Sequence, residues 1–159
     1  MPAIFHPIKR SNSLTPFSRE HHQGLLFAWK IRQGIRKAIA VERIIDFCNW
    51  FWETDLEGHF QKEEKAFDQL LHSNHPMLQQ MMSEHNALRT MFGRLSANTS
   101  YEELETLAQA VNDHIRFEER KLFNEIEKVV APEDLRNAVE QKQHHPCDEW
   151  IDEFWIYQL

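Results

Sequence analysis

The unit His-x-x-x-Glu-Glu occurs twice in this chain, as His59-Phe-Gln-Lys-Glu63-Glu64 and His114-Ile-Arg-Phe-Glu118-Glu119, and it restricts the fold more than any other feature. On an α-helix, residues four apart share one face about one turn, ~5.4 Å, from each other. Each unit can therefore present one imidazole and one carboxylate to the same small volume. Burying an ionised carboxylate costs several kcal/mol unless it is paired or coordinated. If both units face inward, they must face each other or a cation.

The surrounding sequence is helical in pattern. Thr15-Pro16 reads as an N-cap with Pro at the first helical position, opening helix A to about Lys37 with an inner stripe of Phe17, His21, Gly24, Ala28, Ile31 and Ile35. Helix B runs from about Val41 to Leu71, turning Ile45, Trp52, Leu56, His59, Glu63, Phe67 and Leu70 inward. Ser73-Asn74 breaks it, and Pro76 opens helix C with Leu78, Met81, His85, Leu88, Phe92 and Leu95. Ser100 and Glu103 have capping-box spacing ahead of helix D, which continues to about Lys128 through Leu104, Leu107, Val111, His114, Glu118 and Leu122. Ala131-Pro132 restarts a shorter helix to about Gln143, and Trp150, Ile151, Phe154 and Trp155 form an apolar tail expected to pack on the bundle.

With only 4 Gly and 6 Pro in 159 residues, a turn-rich β architecture is disfavoured. The expectation is an all-α fold, an up-down-up-down four-helix bundle with a short C-terminal helical extension. Residues 1–14 form an extended lead-in, 15–130 the bundle, and 131–159 the extension.

Depth along the bundle can be tested by counting. In an antiparallel hairpin, residues at equal depth are equidistant from the turn. The midpoint between His21 and the first unit is Val41, at the A–B turn. Between the first unit and His85 it is Ser73, and between His85 and the second unit it falls at Thr99-Ser100. His21, His59, Glu63, His85, His114 and Glu118 are thus expected in one layer. Four imidazoles and two carboxylates without a thiolate disfavour structural zinc and iron–sulfur sites. Two carboxylates bridging two metals, each with two histidines, suit a pair of iron ions with an oxo bridge; manganese is the second candidate.

Neighbouring residues are read more plainly. His21 is preferred over His22 as the helix A ligand, because the stripe through His22 meets Ser18, Gln33 and Arg36. Glu64 and Glu119 are expected at the bundle edge or in solvent, with entry into the metal's ligand set the alternative. His6, His72, His75, His144 and His145 are surface residues, Cys48 a buried small hydrophobe, and Trp29, Trp50 and Trp52 packing residues. Lys30, Arg32, Arg36 and Lys37 form a solvated face.

The net charge of −7 argues against nucleic acid as a partner. Met1 to Leu14 contains no apolar leader core, and no apolar run approaches the roughly 20 residues a membrane helix needs. Two cysteines make no disulfide framework. A cytoplasmic protein without a membrane partner is expected.

Over roughly Leu14 to Lys128 the chain resembles the hemerythrin-like family, the cation-binding domains of the His-His-Glu type. The resemblance rests on Phe17-Ser-Arg-Glu-His21, His59-x-x-x-Glu63, Glu84-His85 and His114-x-x-x-Glu118. Oxygen-carrying members have a second histidine four residues away on the third helix, where Met81 and Arg89 flank His85 here. Their last carboxylate lies five residues after the histidine, the position of Glu119, whereas Glu118 lies at four. The pattern is closer to the di-iron proteins that repair iron–sulfur clusters, which usually carry an additional cysteine-containing N-terminal domain.

Two functions follow as expectations. The first is a protein binding dioxygen or nitric oxide at a carboxylate-bridged centre, in sensing or stress response. The alternative is an enzyme or iron donor in nitric oxide or peroxide detoxification or cluster repair. Two histidines per iron, against three-plus-two in the oxygen carriers, leave more open positions and favour reactivity over carriage. A metal-stabilised interaction module, resting on the aromatic tail, is a third reading.

Overall fold

The computed structural model describes residues 9–139 and 149–156, and the ordered elements among them are helical. Helix α1 spans Thr15–Arg36. A second rod is made of α2 (Val41–Phe51), a π-helical segment (Trp52–Leu56) and α3 (Glu57–Asp68). Helix α4 covers Pro76–Gly93. The last long rod is α5 (Tyr101–Phe117), a second π-helical segment (Glu118–Leu122) and α6 (Phe123–Val129), followed by the short α7 (Pro132–Ala138).

Helix starts follow local chemistry. The capping box at α5 is complete: Ser100 Oγ accepts from the Glu103 N–H at 3.1 Å, and the Ser100 N–H donates to Glu103 Oε2 at 3.4 Å. At α4, Pro76 opens the helix and His75 Nδ1 accepts from the Met77 N–H, a role that takes His75 out of the plain surface class. The start of α1 differs from the expected Thr15 cap. Leu14 is the capping position, and the Thr15 hydroxyl donates backwards to the Ser11 carbonyl. At the other end, α1 closes with the Ile39 N–H bonded to the Gly34 carbonyl, which holds Ala38 at φ 52°.

The two π-helical segments interrupt rods expected to be continuous. In each, an amide reaches the carbonyl five residues back, Glu57 to Trp52 and Phe123 to Glu118. The first shifts the inward register: Ile44, Cys48 and Phe51 are buried at α-helical spacing, and Leu56 follows after five residues.

Two apolar clusters form the core. One contains Phe27, Ile31, Phe47, Phe60, Phe92, Leu107 and Phe154 among others; the second contains Phe17, Phe67, Met81, Leu122 and Phe123. The site residues fall between the two clusters in chain order. On α1 and α4 the second cluster precedes the site histidine and the first follows it. On the other two rods that order is reversed.

Close packing needs small residues at two crossings. A Cβ on Gly24 would sit 2.6 Å from the end of Ile115, and one on Gly34 would sit 2.8 Å from the Phe154 ring. Phe154 is the anchor of the C-terminal tail, 1% exposed and edge-on to Phe47. Trp150 and Trp155 pack partly beside it, while Ile151 is 96% exposed and does not join them. Trp29 is also half exposed rather than a core residue. The basic face of α1 is only partly solvated: Lys30 lies over the Trp155 ring, Lys37 donates to the Trp155 carbonyl, and Arg32 binds Glu105 and Gln109. His6, His144, His145 and Cys147 lie outside the described residues.

Candidate metal centre

The six side chains picked out by spacing meet between the two apolar clusters. His21 and His59 are each 4% exposed, His114 3%, and Glu63, His85 and Glu118 are fully buried. His22, one residue from His21, is exposed, so the inward histidine of α1 is His21. Regular helix geometry produces the pairs. His59 Nε2 is 3.0 Å from Glu63 Oε1 one turn later, and His114 Nε2 is in close contact with Glu118 Oε1. Glu63 also reaches His21 at 3.5 Å and His85 at 3.3 Å; Glu118 reaches His21 at 3.5 Å and His85 at 3.8 Å.

The atoms sort into two overlapping groups, His21, His59, Glu63 and Glu118, and Glu63, His85, His114 and Glu118. Within each group the donor atoms lie within 4.8 Å of one another, and both groups use the same two carboxylates. All four Nε2 atoms and all four oxygens of Glu63 and Glu118 are buried without a hydrogen-bond partner. Buried polar atoms are nearly always satisfied, so this convergence of orphans is what a cation would resolve. The donor set fits a metal ion.

A second layer surrounds the first, and sequence reasoning missed it. Each histidine turns Nε2 inward and presents Nδ1 to a glutamate on another helical element. His59 Nδ1 donates to Glu20 at 2.5 Å, His21 Nδ1 to Glu119 at 2.7 Å, and His114 Nδ1 to Glu84 at 2.8 Å. An ionised carboxylate only accepts, which fixes the donor. The fourth pair, His85 and Glu64, stands at 3.8 Å. These four glutamates are each the immediate neighbour of a site residue in sequence: Glu20-His21, Glu63-Glu64, Glu84-His85 and Glu118-Glu119. The pairing closes a circuit, from α1 to α3, α3 to α4, α4 to α5, and the π segment after α5 back to α1. Glu64 and Glu119 thus stand at the bundle edge, 18% and 22% exposed and outside the inner group; Glu119 binds an outer nitrogen, and Glu64 faces one without a hydrogen bond. The adjacency of an acid to a site residue on all four rods was the available signal.

The proton balance also differs from simple expectation. Bare carboxylates at this depth are expected to take up protons. Burial does push Glu63 and Glu118 upward, but the histidines outweigh it and hold both below the ordinary range, Glu118 well below. Burial would likewise strip the histidines, yet carboxylates on both ring edges raise all four, His59 to about 9 and His85 to about 11. Without a metal, the mutual attraction of the six groups favours protons on the imidazoles over protons on the carboxylates.

Aromatic rings wall the centre. Phe60 stacks on His85 at 3.9 Å, Phe123 stacks on His21 at 5.2 Å, and Phe17 lies edge-on to His59. Beyond Glu119, Arg10 donates to Glu119 Oε2 at 3.2 Å and to Asn124 and Glu127, tying the N-terminal approach to the last rod.

Fold and site together define a class: all-helical proteins that gather buried imidazoles and carboxylates into a cluster able to hold a cation. The model of the hemerythrin HHE cation-binding domain matches residues 16–126, and the chain belongs to that family. No characterised protein and no solved structure gives a significant match. Among the described residues no helix is long and apolar enough to cross a membrane.

Proposed function

We propose that this chain is a non-haem di-iron protein that binds dioxygen or nitric oxide in sensing or stress response. His21 and His59 would hold one ion, His85 and His114 the other, and Glu63 and Glu118 would serve both. The observation that carries this reading is the sharing: two four-residue donor groups use the same two carboxylates. A single ion would leave one pair of imidazoles unused. The all-oxygen and nitrogen donor set favours iron, with manganese second; Cys48 lies within the apolar core, its thiol pushed up by burial.

When bound, a reduced iron pair supplies redox-active positions open to a diatomic ligand. The protein's own residues orient and insulate. Glu20, Glu84 and Glu119 fix three imidazoles with Nε2 inward, as outer carboxylates do for metal-bound histidines generally. Phe17, Phe60 and Phe123 exclude water from the rings. The protons that the imidazoles hold must leave as a cation enters.

The alternation of cluster order along successive rods supports an up-down-up-down bundle over residues 15–130, with 1–14 as lead-in and 131–159 as extension. A cytoplasmic setting without nucleic acid or membrane as partner accompanies this reading. The second reading, an enzyme or iron donor in nitric oxide or peroxide detoxification or cluster repair, is favoured by the presence of two imidazoles per group. Metal analysis combined with optical spectra of the reduced protein separates the two. A stable adduct on exposure to dioxygen or nitric oxide supports binding, and turnover with loss of the spectrum supports the enzyme. A protein that takes up no iron sinks both.

A further inference from the structure

The circuit of outer glutamates has one open corner. Among the described residues, His85 is the one site histidine whose Nδ1 has no hydrogen-bond partner, although it is fully buried. Its facing carboxylate, Glu64, is held instead by Arg89, which donates from Nη1 to Oε1 at 2.9 Å and from Nη2 to Oε2 at 2.6 Å. A two-point guanidinium–carboxylate pair of this kind is strong and geometrically fixed. Arg89 stands one turn after His85 on α4, with its guanidinium 5.9 Å from the Phe60 ring that stacks on His85. The other two supporting cations act differently. Arg10 and Lys62 each contact a ring glutamate at 3.2 Å, and Glu119 and Glu20 still reach their histidines.

We infer that Arg89 is a positioning residue that withholds Glu64 from His85, so that the two metal positions differ in affinity and the His85–His114 position is the weaker. This deepens the di-iron reading and rests on it. Outer hydrogen bonds hold a ligating imidazole in one tautomer and orientation, and their loss costs roughly 10–100-fold in metal affinity. The position formed by His21 and His59 has both imidazoles so held. The position formed by His85 and His114 has one. The weaker position is the one that loads last, empties first and most readily exchanges a ligand for an incoming small molecule.

The test is an anaerobic titration of metal-free full-length chain with ferrous iron against a competing chelator, repeated with cobalt(II) to follow the two positions by their visible spectra. The expected wild-type result is two ions bound in separate steps. In Arg89→Gln the second step tightens by about tenfold, as Glu64 closes on His85, and its cobalt spectrum changes while that of the first step does not. In Glu64→Ala, and in the Glu64→Ala, Arg89→Gln double variant, neither of which leaves a side-chain acceptor at position 64, the second step stays as weak as in wild type. This dependence on Glu64 separates positioning from a general loss of packing. His85→Ala should remove the weak step and retain the tight one. Two ions of equal affinity in wild type, or a second step that Arg89→Gln leaves unchanged, overturns this inference alone. A wild-type chain that binds one ion overturns the di-iron reading with it.

Discussion

Glu119 accepts a 2.7 Å hydrogen bond from His21 Nδ1 across 98 residues of sequence, joining the π-helical segment that begins at Glu118 to the first helix. The same relationship recurs between Glu20 and His59 and between Glu84 and His114. It makes three of the four inner imidazoles a preformed set rather than independent side chains.

Replacing Glu20, Glu84 or Glu119 by Gln should weaken metal binding by roughly 10–100-fold while leaving the helices formed. Glu64→Gln should change it far less, because His85 Nδ1 stands 3.8 Å from that carboxylate and makes no hydrogen bond to it. Chelator competition beside far-UV circular dichroism measures both. Equal losses in all four variants would show that the outer distances do not matter.

Glu63→Ala or Glu118→Ala should abolish the metal pair, whereas Glu64→Ala should retain it. Glu63 and Glu118 are common to both donor groups, while Glu64 reaches neither. Metal-to-protein ratios of the purified variants decide this, and a Glu64→Ala protein as depleted as Glu63→Ala would refute the assignment of faces.

The layer itself was legible in the sequence because helical periodicity and turn positions suffice to compute depth. His21, His59, Glu63, His85, His114 and Glu118 meet as the counting requires. The outer glutamates were not legible by the same means. Glu64 is rotated about 100° from Glu63 on its own helix, which reads as outward until the neighbouring helix is in place. The π-helical segments had no signature either, since neither Trp52 to Leu56 nor Glu118 to Leu122 contains a Gly or Pro that would mark a break. Trp29 was misplaced because large apolar area is not itself evidence of burial.

The metal-free protein should be most stable in mildly acidic solution. His59 and His85 rise from 6.5 to about 9 and about 11, so their contribution is complete below pH 6.5 and is lost as pH climbs through those values. Glu20 and Glu64 fall from 4.5 to about 2, so theirs is present above pH 4.5 and lost on acidification toward 2. Melting temperature of metal-free protein should therefore peak between 4.5 and 6.5 and decline toward pH 9. A melting temperature that rises from pH 6.5 to 9 would contradict the proton assignment.

Phe154→Ala should destabilise the protein by about 3–5 kcal/mol through the cavity it leaves against Phe47 and Gly34. Metal content should not change, because the Phe154 ring lies in the apolar cluster beside the site and makes no contact with the outer glutamates' hydrogen bonds. Denaturant unfolding and metal analysis on one preparation test the two halves together; loss of metal at unchanged stability would reverse the argument.

The central claim is that six buried side chains share metal, and thermal melting at neutral pH with and without iron tests it most directly. Binding to the folded state alone raises stability by linkage. The iron-loaded protein should melt at a distinctly higher temperature than the chelated one and return to the lower value on renewed chelation. Far-UV helicity should be retained throughout, because the two apolar clusters flank the layer independently of metal. The increment should shrink in the Glu63→Gln, Glu118→Gln double variant. Metal-free and iron-loaded wild type melting at the same temperature would contradict the account.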